Sequence, residues 1–270
     1  MNMMNTYGHA EFDVDYVTTE RSNKHKYVIR TDTDECIGMV NSTYTGTSHP
    51  RYFGKMRSKW MDTLQPEKYD IKTRIAGNGV WALETVTFPD LKGVVETNKH
   101  KTETAMQLNY WHSVNGSTSN NFVGGLLDFF CTNKSFRGDY SYLYKKNTKN
   151  FNLDNFAHDA GLIMESYNDQ LAWCQRLAET EVNLRPIENM LKDIMPERKA
   201  DKMFDSVRTE ITVRGCNMWA VYSAMTQYAT HDDRFELRTT KSNNQEQRQF
   251  NRNLEVAKWV EHESFQRLVA

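Results

Sequence analysis

Lys134, Arg137, Lys145, Lys146 and Lys149 crowd one stretch, Cys131 to Asn150, against a single acid, Asp139. Phe136, Tyr140, Tyr142 and Tyr144 are interleaved with them. Cations bind backbone phosphates and aromatic faces stack on bases, so this pattern suits a single nucleic-acid strand. The same composition describes a solvated loop whose tyrosines pack on a core. A second basic-aromatic run follows the same logic: Arg51, Lys55, Arg57 and Lys59 are flanked by Tyr52, Phe53 and Trp60. On a helix over 53–64 those cations spread around the cylinder, where simple solvation explains them equally well. Arg74 is a further phosphate candidate. Tyr110, Trp111, Tyr142 and Tyr144 are candidates for base contacts, although residues of these types more often pack in a core.

The elements that must position these residues change character midway. Tyr27–Arg30 and Ile37–Val40 read as a hairpin joined by the turn-like TDTDEC. Ile71, Thr73 and Ile75 alternate with Lys72, Arg74 and Ala76, the Gly77-Asn78-Gly79 turn follows, and Val80–Phe88 resumes an extended run. Met106–Val114 and Phe122–Phe130 complete an antiparallel meander of four strands. From residue 154 the period becomes helical: Phe156, Ala160, Ile163, Tyr167, Leu171, Cys174 and Ala178 form one apolar stripe on a single long helix, with Asp154 as its N-cap. Helices follow at 186–195 and 200–212, Gly215 opens a compact apolar helix, and a last helix spans 251–268. The expected fold is α+β with segregated elements, an antiparallel meander followed by a long amphipathic helix and a helical C-terminal half. The expected domains are a flexible arm over 1–26, an α+β core over 27–238, and a polar linker with a C-terminal helix over 239–270.

Net charge is −1, but residues 51–150 hold 15 Lys and Arg against 9 Asp and Glu. Surface charges act within a screening length of roughly 10 Å, so a local basic surface can bind phosphates on a neutral protein. A hydrophobic content of 39% and a mean hydropathy of −0.75 indicate a polar soluble chain. No apolar run reaches the eighteen or so residues of a membrane span, and the N-terminus lacks a signal-peptide pattern. Cytoplasmic residence is the expectation, with no membrane association. Cys36, Cys131, Cys174 and Cys216 form no C-x-x-C pair and are expected to be buried apolar residues. The eight histidines show no ligand spacing, so no metal and no cofactor are expected.

Catalytic signatures are missing as well. The chain has neither GxxxxGK[ST] nor GxGxxG nor G-x-S-x-G. Pro89-Asp90 begins a nuclease-like pattern, but Glu96-Thr97-Asn98-Lys99 has the wrong spacing. The Asp13/Asp15 and Asp32/Asp34/Glu35 groups sit in apparent turns, and His231-Asp232-Asp233 ends a helix. No enzyme is expected.

Several segments, in order over residues 70–235, resemble a phage and plasmid family of unknown function. Gly77-Asn78-Gly79-Val80-Trp81-Ala82-Leu83 is similar to its glycine turn leading into a strand. Phe122–Asn133 matches an apolar strand ending in a Cys-Asn element, altered here to Cys131-Thr132-Asn133. Lys146-Asn147-Thr148 matches the short element before the long helix, and Gly215–Tyr228 matches its small-residue turn and terminal helix. The family is remotely similar to the single-strand annealing superfamily of lambda Red-beta and RecT type. That resemblance implies a bacteriophage protein acting in the infected cell's cytoplasm, binding single-stranded DNA in a basic groove. It also implies homo-oligomeric rings or filaments, ATP-independent pairing of complementary strands in recombination and repair, and recruitment of a host single-strand-binding protein. Two alternatives stand beside it: a phage interaction protein that inhibits a host defence enzyme without DNA affinity, and a metal-dependent nuclease.

Overall fold

The computed structural model describes residues 12–19, 22–128, 134–135, 142–231 and 245–270. The expected meander is present. Strands β4 (Asp70–Ala76), β5 (Trp81–Glu96), β6 (Lys101–Ser113) and β7 (Asn120–Asp128) lie side by side in chain order. The turns at 97–100 and 114–119 are too short for a crossover, so successive strands run antiparallel. Gly77, Asn78 and Gly79 all have positive φ, which is why two glycines and an asparagine carry the β4–β5 turn. Along β7, the short β8 (Lys134–Ser135) pairs with Leu126 and Leu127, and β9 (Tyr142–Lys145) pairs with residues 120–123. A separate three-stranded sheet holds β1 (Val14–Thr19), β2 (Ser22–Arg30) and β3 (Cys36–Asn41). Part of the expected 1–26 arm is therefore paired strand: Val14 to Thr18 ladder onto Arg30 to Lys26.

Among the described residues eight helices follow this pattern: α1 (His49–Leu64), α2 (Leu153–Glu165), α3 (Tyr167–Glu179), α4 (Leu184–Ile194), α5 (Glu197–Arg214), α6 (Met218–His231), α7 (Gln245–Glu261) and α8 (Glu263–Val269). The fold class is α+β. The single long helix expected from residue 154 is two, interrupted at Ser166 (φ −77°, ψ 4°). The apolar stripe is real: Phe156, Ala160, Ile163, Tyr167, Cys174 and Ala178 are all buried. A stripe reports one buried face per helix and does not report whether the backbone stays continuous.

The chain divides into two compact units, in place of one core domain over 27–238. The first takes the described residues of Met1–Asp90, Gln107–Gly124 and Tyr142–Glu165; the second takes those of Leu91–Met106, Gly125–Ser141 and Ser166–Ala270. In the first, α1 and α2 cover one sheet face through Tyr52, Phe53, Met56, Trp60, Phe156 and Ile163, all buried. Phe88, Tyr110 and His112 meet them, as the contacts Trp60–Phe88, Phe53–Tyr110 and Tyr52–His112 record, and Phe122 stacks on Tyr110. By strand alternation Gln107, Asn109, Trp111 and Ser113 point to the opposite face. That face is polar and internally bonded: Thr85 donates to Asn109 (2.7 Å) and Gln107 donates to Thr87 (2.9 Å).

In the second unit α6 is buried on every side, from Met218 through Met225, against α3, α5 and α7. The C-terminal segment expected as a linker and separate helix belongs to this core. Val256, Ala257, Trp259, Val260 and Phe265 are buried, and Lys199 bonds both Tyr228 (2.7 Å) and Glu255 (2.6 Å). Arg214, fully buried, is neutralised by Glu210 (2.7 Å) and donates to Thr102 (2.6 Å).

Candidate nucleic-acid interface

Lys145, Lys146 and Lys149 are exposed on the segment that carries the chain from the edge strand β9 into α2. Tyr144 beside them is 49% exposed. In β9 the register sets Lys145 opposite Asn120 and Tyr144 opposite Asn121. Consecutive strand residues face opposite ways, so Lys145 points to the helix-covered side and Tyr144 to the polar one. The edge thus offers a cation on one side and an aromatic ring on the other.

Asn147 fixes this segment. It is buried between exposed Lys146 and Thr148, and its amide donates to the Tyr44 hydroxyl (2.9 Å) and the Ser113 carbonyl (3.3 Å). Asn120 donates to its side-chain oxygen. Burial pushes the Tyr44 phenol up to about 12, so its oxygen stays protonated and donates onward to Ser113 (3.1 Å). Two short turns, Thr148 to Lys146 and Phe151 to Thr148, then lead into α2. The cap of that helix is Asn152, whose side chain accepts from Asn155 (3.0 Å), in place of the expected Asp154. Asp154 lies in the first turn, where its charge suits the helix dipole. Asn147→Ala removes three hydrogen bonds and takes from the buried Asn120 amide the acceptor it donates to, an expected loss of about 2 kcal/mol in a denaturant titration.

The other expected contacts divide. Arg74 is exposed on β4 and shares the polar face with Lys72, since Arg74 pairs with Leu83 and Lys72 with Thr85. Tyr110 is fully buried on the helix-covered face, and its hydroxyl donates to Glu84 at 2.6 Å. Burial, reinforced by that carboxylate, holds its phenol pKa far above the ordinary value. Trp111 is buried as well. Base stacking by Tyr110 and Trp111 is therefore corrected: both are core residues, because β6 is covered on both faces. Lys134 pairs with Leu127, and Tyr142 with Val123, through their backbones. Arg137 lies outside the described residues, as do Phe136 and Tyr140.

In the second basic-aromatic run, Tyr52, Phe53 and Trp60 are all buried. Arg57 reaches under α1 to Glu84, whose carboxylate is fully buried: Nε bonds Oε2 at 3.2 Å and Nη2 bonds Oε1. Arg51 and Lys55 remain exposed.

Cysteine and histidine expectations need two amendments. Cys36 is exposed, while Cys174 is buried and Cys131 lies outside the described residues. His49 and His112, distant in sequence, meet at 2.8 Å between their Nδ1 atoms. No group of three or more potential metal ligands occurs among the described residues.

The second unit has a cleft of about 720 Å³, lined by Glu96–Lys99, Glu179, Glu181–Asn183 and Gly215–Asn217. Two of its polar side chains are committed to the fold. The Cys216 thiol donates to the Val182 carbonyl (2.9 Å), and Asn217 caps α6 through the Ala220 amide (3.0 Å).

Comparison with family models, curated proteins and solved structures finds no match.

Proposed function

We propose that this chain binds single-stranded DNA and, as a homo-oligomer, promotes pairing of complementary strands without ATP. The observation that carries the reading is the β9–α2 junction. Three exposed lysines and an exposed tyrosine are gathered there on a backbone that buried Asn147 holds in place. Preorganised cations lose less conformational freedom on binding than cations on a slack loop. Phosphate contacts give affinity without sequence preference, and Tyr144 supplies a π-face any base can use. Side-by-side subunits would turn a weak site into a continuous one through effective concentration. The resemblance to the annealing superfamily adds the phage context and the host single-strand-binding partner to the proposal.

The test is a charge reversal, Lys145→Glu with Lys146→Glu. Fluorescence anisotropy with a labelled single strand should show weaker binding, with the salt slope reduced by about two, one per lost phosphate contact. Both side chains are exposed, so the melting transition should not move. Unchanged affinity at matched salt removes these lysines from the site.

A second reading has an observation of its own. Val17, Tyr27 and Met39 are opposed in register across β1, β2 and β3, and all are exposed (48%, 41% and 57%). An apolar row of this kind suits a protein partner. Tyr27→Lys should abolish such an association and leave DNA affinity intact, read by sizing with the partner and by anisotropy.

A further inference from the structure

In the first unit, the first turns of α1 carry Arg51, Lys55 and Lys59 at i, i+4 and i+8, one step of about 6 Å each along one side of the helix. That side borders α2. Lys55 forms an ion pair with Asp154 in the first turn of α2. Lys59 lies over Gly161 two turns further on, where a Cβ would collide with its Cε. Arg51 acts on the same Asp154: Lys55 foremost, and then Arg51, hold that carboxyl below its usual range. Three cations therefore follow one side of α1, and the Asp154 carboxylate pairs with the middle one. The Lys55 and Asp154 side chains are 43% and 73% exposed, so the pair is open to solvent and contributes little to folding.

We infer that the α1–α2 seam is a second phosphate track, and that the Asp154 carboxylate occupies the seat of one backbone phosphate. The inference rests on the single-strand reading proposed above and extends it to residues outside the β9–α2 junction. A carboxylate and a phosphate oxygen make the same charge-assisted bond to an ammonium group. The positive dipole end of α2 favours an anion at the same place. Lys149 leads into that turn, so the junction and the seam lie next to each other along the chain. Asp154 acts as an internal competitor: a bound strand exchanges partners with Lys55 and Arg51, and the affinity measured is what remains after that exchange.

The expected result is a gain of function. Asp154→Asn removes the competitor and should tighten binding of a labelled oligonucleotide about threefold to tenfold, with the salt slope steeper by about one. Glu188→Gln is the control. It makes the same net charge change in an exposed ion pair, Lys192–Glu188 at 2.7 Å in α4, and should leave affinity unchanged. Arg51→Glu with Lys55→Glu should weaken binding in the wild-type background. Equal tightening by Asp154→Asn and Glu188→Gln overturns the inference, because overall charge then explains the gain. No change in Asp154→Asn, or in Arg51→Glu/Lys55→Glu, while Lys145→Glu/Lys146→Glu weakens binding, overturns the seam and leaves the junction standing. Wild-type protein that binds no oligonucleotide at low salt overturns both together.

Discussion

Arg57→Ala is expected to lower folding stability by about 3–5 kcal/mol, the cost of leaving a buried charge without its counterion. Glu84 has no solvent access, and among the described residues Arg57 is the one cation bonded to it. Tyr110 donates to the same carboxylate (2.6 Å) and receives the Trp60 indole N–H (3.3 Å), so the pair is the centre of a network joining α1 to β5 and β6. Arg57 itself is 45% exposed, which makes its own desolvation cost modest. Urea titration of Arg57→Ala should shift the midpoint strongly with little change in slope. The double variant Arg57→Met/Glu84→Gln should recover much of the loss, because no charge is then stranded. A loss below about 1 kcal/mol for Arg57→Ala would place this pair with ordinary surface ion pairs.

Acid should destabilise the protein before carboxylates protonate. His49 donates its Nε2 proton to the Gly79 carbonyl (2.9 Å), which leaves its Nδ1 as an acceptor, and His112 must supply the proton between the two Nδ1 atoms. His112 Nε2 is then a bare lone pair with no bonding partner, enclosed by a core in which Tyr52 stacks on the ring at 4.7 Å. Burial lowers the His49 pKa to about 4, with nearby Arg30 adding to it, and lowers that of His112 well below its ordinary value, with His49 adding there. Both folded pKa values lie below the unfolded value of about 6.5. Between them the unfolded chain binds protons that the folded chain refuses, so stability is intact above pH 6.5 and falls as pH drops toward 4. His49 alone accounts for about 3 kcal/mol over that window. Unfolding free energies measured from pH 7 to pH 4 should show this slope, and His112→Gln should make it shallower, leaving the His49 share. A flat profile would mean that the pair is hydrated or protonated in the folded state.

How much of this was legible in the sequence depends on the period of the signal. The meander was, because Ile71, Thr73 and Ile75 alternate and Gly77-Asn78-Gly79 supplies left-handed residues where the chain reverses. The stripe from Phe156 to Ala178 was legible as a buried face, but the break at Ser166 was not, since a serine ends one helix and starts another without any proline or glycine. Tyr110 and Trp111 were misplaced because a strand covered on both faces looks the same, residue by residue, as one that offers aromatics to a ligand. The role of Arg57 was invisible for a different reason. Its partner Glu84 lies in another element, and only the packing of α1 on the sheet brings them together. Lys145, Lys146 and Lys149 stand out by composition; Asn147, which holds them, does not, because its partners Tyr44, Ser113 and Asn120 are distant in sequence.

Single-strand binding is decided by fluorescence anisotropy of a labelled oligonucleotide at two salt concentrations, with sizing on the same sample. The expected result is binding by a homo-oligomer that weakens as salt rises, and a loss of that binding in Lys145→Glu/Lys146→Glu at an unchanged melting temperature. Wild-type protein that leaves the oligonucleotide free at low salt would contradict it, and the exposed row of Val17, Tyr27 and Met39 would then become the surface to pursue.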